Sequence, residues 1–425
     1  MKTSDASANT SRATSRLNLR LLLLCFVAVS PSLGTAVSAF GRLFLYIAAA
    51  CIFLFPNDDR VSESGQKFQN LTILILIIVG YMLATVGWSS ATISESLHAW
   101  TRHARILTIP ILYMVIRTRS EGRTVLRAFA FAQIFVVLSA WLLVCGVPVP
   151  WATAATSKET YAVFGSYLEQ SISQSVLVAL LWFARDWIFG SRGRWFAIFG
   201  AFSTLVLTLG FLQGRSGHMV ALGIIAMAVM FELPRRQKWL AVVIVAGVVA
   251  LAFIGSKNFR DRMLSVSSEV AAYSERTVSE SSSGVRLYYW HVSVLAAIEK
   301  PLLGHGAGSW NHEYRRLGSS KANPMTLSTS DPHQLFLLWL VEGGLVGIGL
   351  LVALLLYMLR CSRELEQSKA HILQATIAAL FISGMFNSII FGIGMGDFFC
   401  IAIGTLLGMY GNRISGSRQE KYEPE

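Results

Sequence analysis

The sequence predicts an all-α polytopic membrane protein with about twelve transmembrane helices and one long extramembrane loop. Three observations lead there. Of 425 residues, 54% are hydrophobic and only 14% are charged, where a soluble globular chain carries about 25% charged residues. Mean hydropathy is +0.54. Apolar runs of about 20 residues, enough to cross the hydrocarbon core as helix, recur along the chain. This composition excludes a disulfide-stapled secreted domain, a disordered chain and a soluble nucleic-acid binder. The formal charge of +12, from 36 Lys+Arg against 24 Asp+Glu, is then a matter of which loops carry the cations.

The chain begins with a polar, Ser/Thr-rich, basic stretch over residues 1–16, followed by an apolar run from Leu17 to Ser30. This pattern resembles a signal peptide, with Val37-Ser38-Ala39 as a cleavage site. An uncleaved first transmembrane helix is the favoured alternative, with Arg20 snorkelling at its cytoplasmic end. The expected spans are 17–37, 41–55, 70–88, 105–117, 125–147, 170–188, 195–213, 217–232, 238–255, 334–359, 371–391 and 395–411. The five cysteines, Cys25, Cys51, Cys145, Cys361 and Cys400, lie in or beside apolar runs without a CxxC pair. They read as small hydrophobes rather than as disulfide partners or zinc ligands.

With a cytoplasmic N-terminus, the short loops split their basic residues 22 to 5 in favour of the cytoplasmic side, and nine more lie in the long loop. That asymmetry sets the orientation. Both termini are expected in the cytoplasm, and the long loop faces the exterior or periplasm. Three regions follow: 1–255 with the first nine transmembrane helices, a loop domain over 256–333 with amphipathic helices, and 334–425 with three further helices and a cytoplasmic tail. A loop this long is more than a connector.

Within the loop, Leu287, Trp290, Val294, Leu295 and Ile298 fall on one helical stripe that Pro301 stops. Gly304-His305-Gly306-Ala307-Gly308 reads as a glycine-rich turn. It is not a dinucleotide fingerprint, because no strand precedes it. Arg286 sits at the start of the helix, where the dipole already places partial positive charge. It bonds to solvent, or it shares the site with an anion. Asp331 is expected to cap the following transmembrane helix, with Pro332 first and His333 in its opening turn. His333 is an interfacial histidine or an anion-site residue. Arg215, in Gln213-Gly214-Arg215-Ser216-Gly217, lies between two nearly continuous apolar spans. Such an arginine snorkels at a tight turn or lines a polar cavity. Glu342 and Asp397 are intramembrane carboxylates for which a structural, partnered role is expected.

These pieces together resemble the O-antigen ligase family, which belongs with O-antigen polymerases and protein O-oligosaccharyltransferases. The resemblance rests on Gly214-Arg215-Ser216-Gly217, on Arg286 with Trp290 and Pro301-Leu302-Leu303-Gly304-His305-Gly306, and on His333 followed by Glu342-Gly343-Gly344-Leu345-Val346-Gly347. These motifs cover residues 213–350. Gln334 replaces the Asn that often follows the histidine. The resemblance implies a GT-C-like glycosyltransferase of the bacterial inner membrane with a periplasmic active site. It would move a glycan, with inversion, from undecaprenyl diphosphate to lipid A–core, and it would need no metal and no cofactor. The loop holds no Asp-x-Asp, so Arg215 and Arg286 would clamp the diphosphate. His333 would serve as general base or as a further diphosphate contact, with Trp290, Asp331 and Glu342 in support. The implied partners are the lipid-linked donor, the lipid A–core acceptor and the bilayer. A polymerase or a protein O-oligosaccharyltransferase would share the donor site and differ in acceptor. A lipid-linked glycan transporter would instead show paired broken helices in two halves, and no such symmetry is visible.

Overall fold

A computed structural model describes residues 19–54, 66–271, 282–318 and 329–409. The polar N-terminal stretch, Arg60, most of the Ser/Glu-rich part of the loop and the basic C-terminal tail lie outside the described residues. All regular structure among the described residues is helical. In chain order the helices are α1 (Leu19–Leu33), α2 (Thr35–Leu54), α3 (Gln66–Ala84), α4 (Ile93–His103), α5 (Thr108–Val115), α6 (Arg119–Val144), α7 (Tyr167–Phe183), α8 (Arg194–Gly210), α9 (Arg215–Glu232), α10 (Leu240–Gly255), α11 (Lys257–Ala271), α12 (Ser282–Glu299), α13 (Trp310–Leu317), α14 (Leu335–Ser362), α15 (Gln367–Gly384) and α16 (Ile393–Gly408). Short 3-10 turns and one helical turn at Ser157–Thr160 complete the regular structure.

Local chemistry explains several helix starts. Thr92 and Glu95 form a capping box on α4: the Thr92 hydroxyl accepts from the Glu95 amide at 3.3 Å, and Glu95 accepts from the Thr92 amide at 3.0 Å. Thr118 and Ser166 cap α6 and α7 by accepting from the Glu121 and Glu169 amides. The apolar exteriors of α8 and α10 expose Phe199 (70%), Leu251 (72%) and Ile254 (77%). Surfaces of that kind need lipid around them. In contrast, α16 is buried along almost its whole length, with Phe398, Phe399 and Ile403 at 1% exposure or less.

That contrast bears on the expected dozen spans. Five helices among the described residues are long and apolar enough to cross a membrane alone, and a sixth appears if α10 and α11, bent by 105° at Ser256, count as one broken span. The expected span at 105–117 is a 3-10 turn followed by the eight-residue α5. At 1.5 Å per residue that helix is about 12 Å long, and its Ile109, Leu112 and Val115 are buried in protein.

Several buried charges have partners in the fold. Asp397 on α16 accepts from Arg42 at 2.7 and 2.9 Å and from the Ser38 hydroxyl at 2.6 Å. Arg105 donates to the Phe391 carbonyl at 2.8 Å. Arg20 pairs with Glu121, joining α1 to α6.

α14 is not one helix. Gly344 takes φ 62 and ψ −161, and the helix breaks there. The 301–306 segment fills the break. Leu345 and Val346 donate to the carbonyls of Pro301 and Leu302 at 2.8 and 3.2 Å, while His305 and Gly306 donate to those of Val341 and Glu342 at 2.7 and 2.9 Å. The freed backbone groups are thereby satisfied inside the protein, as a membrane-embedded break requires. Glycine is mandatory at the contact. A Cβ at Gly344 would lie 2.3 Å from the Leu302 carbonyl oxygen, and one at Gly304 would lie 2.6 Å from the Gly344 nitrogen.

Candidate active site

Arg215 opens α9. Gly214 and Gly217 flank it because α7 passes so close: a Cβ at either position would meet Ser171 Oγ at 2.1 or 2.2 Å. The Ser175 hydroxyl ties the contact by donating to the Gly217 carbonyl at 3.0 Å. This packing holds the first residue of α9 in a fixed place. From there the Arg215 guanidinium reaches across to the loop helices. It meets both oxygens of Glu269 on α11, at 2.8 and 3.2 Å. It also donates to Ser265 on α11 and Ser283 on α12, each at 2.8 Å. Arg215 is therefore neither snorkelling nor waiting empty. A carboxylate already sits in its fork.

Arg286 lies in the second turn of α12. The apolar stripe read from the sequence becomes this helix, and Pro301 follows its end. Arg286 and Arg215 line the same cavity of about 400 Å³. Arg286 makes no hydrogen bond or ion pair to any other described residue, and burial together with the nearby Arg215 pulls its guanidinium below the usual arginine range. Two cations thus face one space, and one of them is unneutralised. The rest of the lining is mainly apolar, with Met219, Met263, Val270, Leu287 and Phe386. Trp290, one turn beyond Arg286, also lines the cavity, and its buried indole N–H has no partner among the described residues. A buried donor without an acceptor costs about 1–3 kcal/mol, so this site is built for a ligand with oxygens to offer.

His333 stands apart from any helix. It adopts φ 50, a left-handed conformation that is uncommon for a residue with a Cβ. The expected cap is corrected here. Asp331 does not cap α14, because its Oδ1 accepts from the His333 amide at 2.8 Å. Gln334 is the cap instead, accepting from the Leu337 amide, and α14 begins at Leu335. His333 is consequently not in the first helical turn. Its ring is half-exposed, with Nδ1 3.5 Å from Asp331 Oδ1, and its centroid is 5.9 Å from that of Tyr289. Burial and the neighbouring Arg286 pull the imidazole below its usual range, against the opposing pull of Asp331. A neutral imidazole at pH 7 is the form that accepts a proton.

Glu342 lies elsewhere. His103 Nε2 donates to its Oε2 at 2.7 Å and the Gly308 amide to its Oε1 at 3.0 Å, which locks α4 and the glycine-rich turn to α14. Removing one partner of such a buried pair costs about 3–5 kcal/mol. Asp331, Trp290, Arg286, Arg215 and His333 are thus gathered around one region, and Glu342 braces the frame behind it.

Sequence reasoning missed Glu269, Ser265 and Ser283. All three lie in a Ser/Glu-rich stretch without periodicity, which offers no signal for a contact to Arg215. It also missed a cluster of Glu299, His305 and Glu313, whose ligating atoms lie within 4.8 Å of one another. Arg316 already bridges the two carboxylates, donating to Glu313 at 2.7 Å and Glu299 at 3.3 Å. None of the three lines the arginine cavity.

Residues 200–352 match a family model described as O-antigen ligase. The matched stretch encloses Arg215, Glu269, Arg286, Trp290, Asp331 and His333 and contains the motifs at 213–350. A protein of Haemophilus influenzae named as uncharacterized is 23% identical over 158 residues, which is 36% of this chain and 40% of its own length. The alignment thus spans less than half of that relative.

Proposed function

We propose that this membrane chain, whose residues 200–352 match a family model described as O-antigen ligase, is a metal-independent O-antigen ligase. It transfers O-antigen polysaccharide from undecaprenyl diphosphate to the lipid A–core oligosaccharide at the periplasmic face of the bacterial inner membrane. The observation that carries this reading is the unneutralised Arg286 beside Arg215 in an apolar cavity. A lipid diphosphate offers what that space lacks: two negative charges for the guanidinium forks, an oxygen for Trp290, and an isoprenoid tail for the methionines and Phe386. Glu269 holds the place of one phosphate until the donor arrives.

In the reaction, a hydroxyl oxygen of the acceptor sugar attacks the anomeric carbon of the donor. The bond from that carbon to the diphosphate oxygen breaks, and the electron pair leaves with undecaprenyl diphosphate. Charge grows on the leaving oxygen, where Arg215, Arg286 and Trp290 donate. Preplaced donors of this kind contribute about 10²–10³-fold each. The hydroxyl proton passes to the His333 imidazole, held by the Asp331 turn.

The test is genetic. Deleting the gene and running the lipopolysaccharide on a gel leaves full-length glycan on the lipid carrier and no ladder on core. A deletion strain that keeps one repeat on core identifies a polymerase instead. An unchanged ladder rejects both.

A further inference from the structure

A second cavity, of about 200 Å³, lies where α4 and α13 meet the 329–334 segment. Its character is the opposite of the first. His98 and Arg102 from α4, and Asn311, His312 and Arg315 from α13, line it together with Ser330. Ser330 begins the turn that carries His333, so one short segment borders this cavity and bears the candidate base. Two carboxylates also reach the cavity, and both have duties in the fold. Glu95 caps α4 through the Thr92 amide and hydroxyl, and Glu342 holds His103 and the Gly308 amide.

Arg102 and Asn311 are less fully used. Arg102 packs over the Phe391 ring at 5.0 Å and donates to His98 Nε2 at 3.3 Å, which leaves most of its five donors for something else. The amide oxygen of Asn311 is buried without a partner among the described residues. That atom requires a donor. The walls are fixed: a Cβ at Gly308 would lie 3.0 Å from the Glu95 carbonyl oxygen and 3.2 Å from Ala99 Cβ, so α4 and the glycine-rich turn are in close contact. Planar guanidinium, imidazole and amide groups around a small, rigid, polar space match the vicinal hydroxyls of a sugar ring, which both donate and accept.

We propose that this cavity is the subsite for the terminal sugar of the acceptor glycan, with Arg102, Asn311 and Arg315 as its principal hydrogen-bonding groups. The proposal rests on the transferase reading above. It places donor and acceptor in separate cavities: the His333 segment borders the second through Ser330, and Arg286 of the first acts on the His333 imidazole. An acceptor hydroxyl presented from the Ser330 side reaches that histidine without entering the lipid-lined cavity.

The experiment uses the full chain purified into lipid nanodiscs, with undecaprenyl-diphosphate glycan as donor and lipid A–core as acceptor. In the doubly substituted Arg102→Gln, Arg315→Gln protein, acceptor KM rises tenfold or more while donor KM moves less than twofold. A rise in donor KM of equal size, or an unmoved acceptor KM, overturns the assignment. Asn311→Ala removes one amide from α13 and serves if the double variant does not accumulate: a threefold or larger rise in acceptor KM supports the subsite, and no rise refutes it. If the wild-type chain extends a lipid-linked glycan in place of lipid A–core, the ligase reading fails. The same KM comparison on that glycan then decides the cavity.

Discussion

Arg286→Ala separates a ligand-binding arginine from a structural one. Most buried arginines are poor test cases, because removing them strands a carboxylate. Arg286 has no such partner among the described residues, and the strongest charge acting on it is another arginine, Arg215. Truncation therefore relieves a repulsion and leaves no orphaned ion, so folding stability should fall little or even rise. Catalysis should suffer. A charge-assisted hydrogen bond is worth about 1.5–3 kcal/mol, and about 1.4 kcal/mol is tenfold in rate. One lost contact thus costs about 10- to 150-fold in transfer, and a bidentate pair more. Lys should rescue poorly, because an ammonium is a point donor rather than a fork. The assay is transfer by the purified variant, beside membrane abundance and thermal unfolding of the same preparation. Near-normal transfer by Arg286→Ala would remove it from the donor site. A large drop in abundance would show that the residue holds the fold, although no described residue pairs with it.

Other expectations follow from the same geometry. His333→Ala and His333→Gln should both be severely impaired. Because the imidazole titrates below its usual range, the wild-type rate should hold through neutrality and fall only on acidification past the ordinary imidazole range, as the base becomes protonated. Substantial transfer by His333→Gln with a flat profile from pH 5 to 8 would assign the residue to diphosphate binding. The Glu269 carboxyl is pulled down to about 2, chiefly by its hydrogen bonds with Arg215, and stays ionised in the fork at neutral pH. Glu269→Gln should then lower donor KM by removing a competing anion, and a raised donor KM would mean that Glu269 positions Arg215 for the donor. Gly344→Ala should cut membrane abundance, because its backbone conformation is open essentially to glycine alone, at about 1–3 kcal/mol for other residues, and its Cβ would strike the Leu302 carbonyl. Normal abundance and unfolding temperature of that variant would mean that the break can close or shift.

The sequence made much of the loop legible. The stripe from Leu287 to Ile298 and the stop at Pro301 correspond to α12, and the glycines around Arg215 correspond to a close helix contact. Other parts were hidden for physical reasons. Hydropathy registers an apolar run but not what surrounds it: the run at 105–117 is short for a span, which left open whether it borrows flanking residues or lies deep among its neighbours, and α5 is short and buried in protein. Asp331-Pro332 carries the signal of a helix start, yet the aspartate was drawn to the amide of His333 and Gln334 took the cap. The break at Gly344 gave no sign in the sequence, because nothing local shows that the 301–306 segment will hydrogen-bond into the helix. Glu269 had no pattern around it. Its role exists only where α11 folds back toward α9.

The central claim is a diphosphate-lipid donor held by arginines alone and a glycan delivered to lipid A–core. Its most direct measurement is transfer by the purified chain in lipid nanodiscs, with undecaprenyl-diphosphate glycan, lipid A–core and EDTA, read by mass spectrometry of both lipids. The account predicts glycosylated lipid A–core and free undecaprenyl diphosphate in equal amounts, undiminished by the chelator. Glycan lengthened on the lipid carrier, or transfer that stops in EDTA and returns with magnesium, would contradict it.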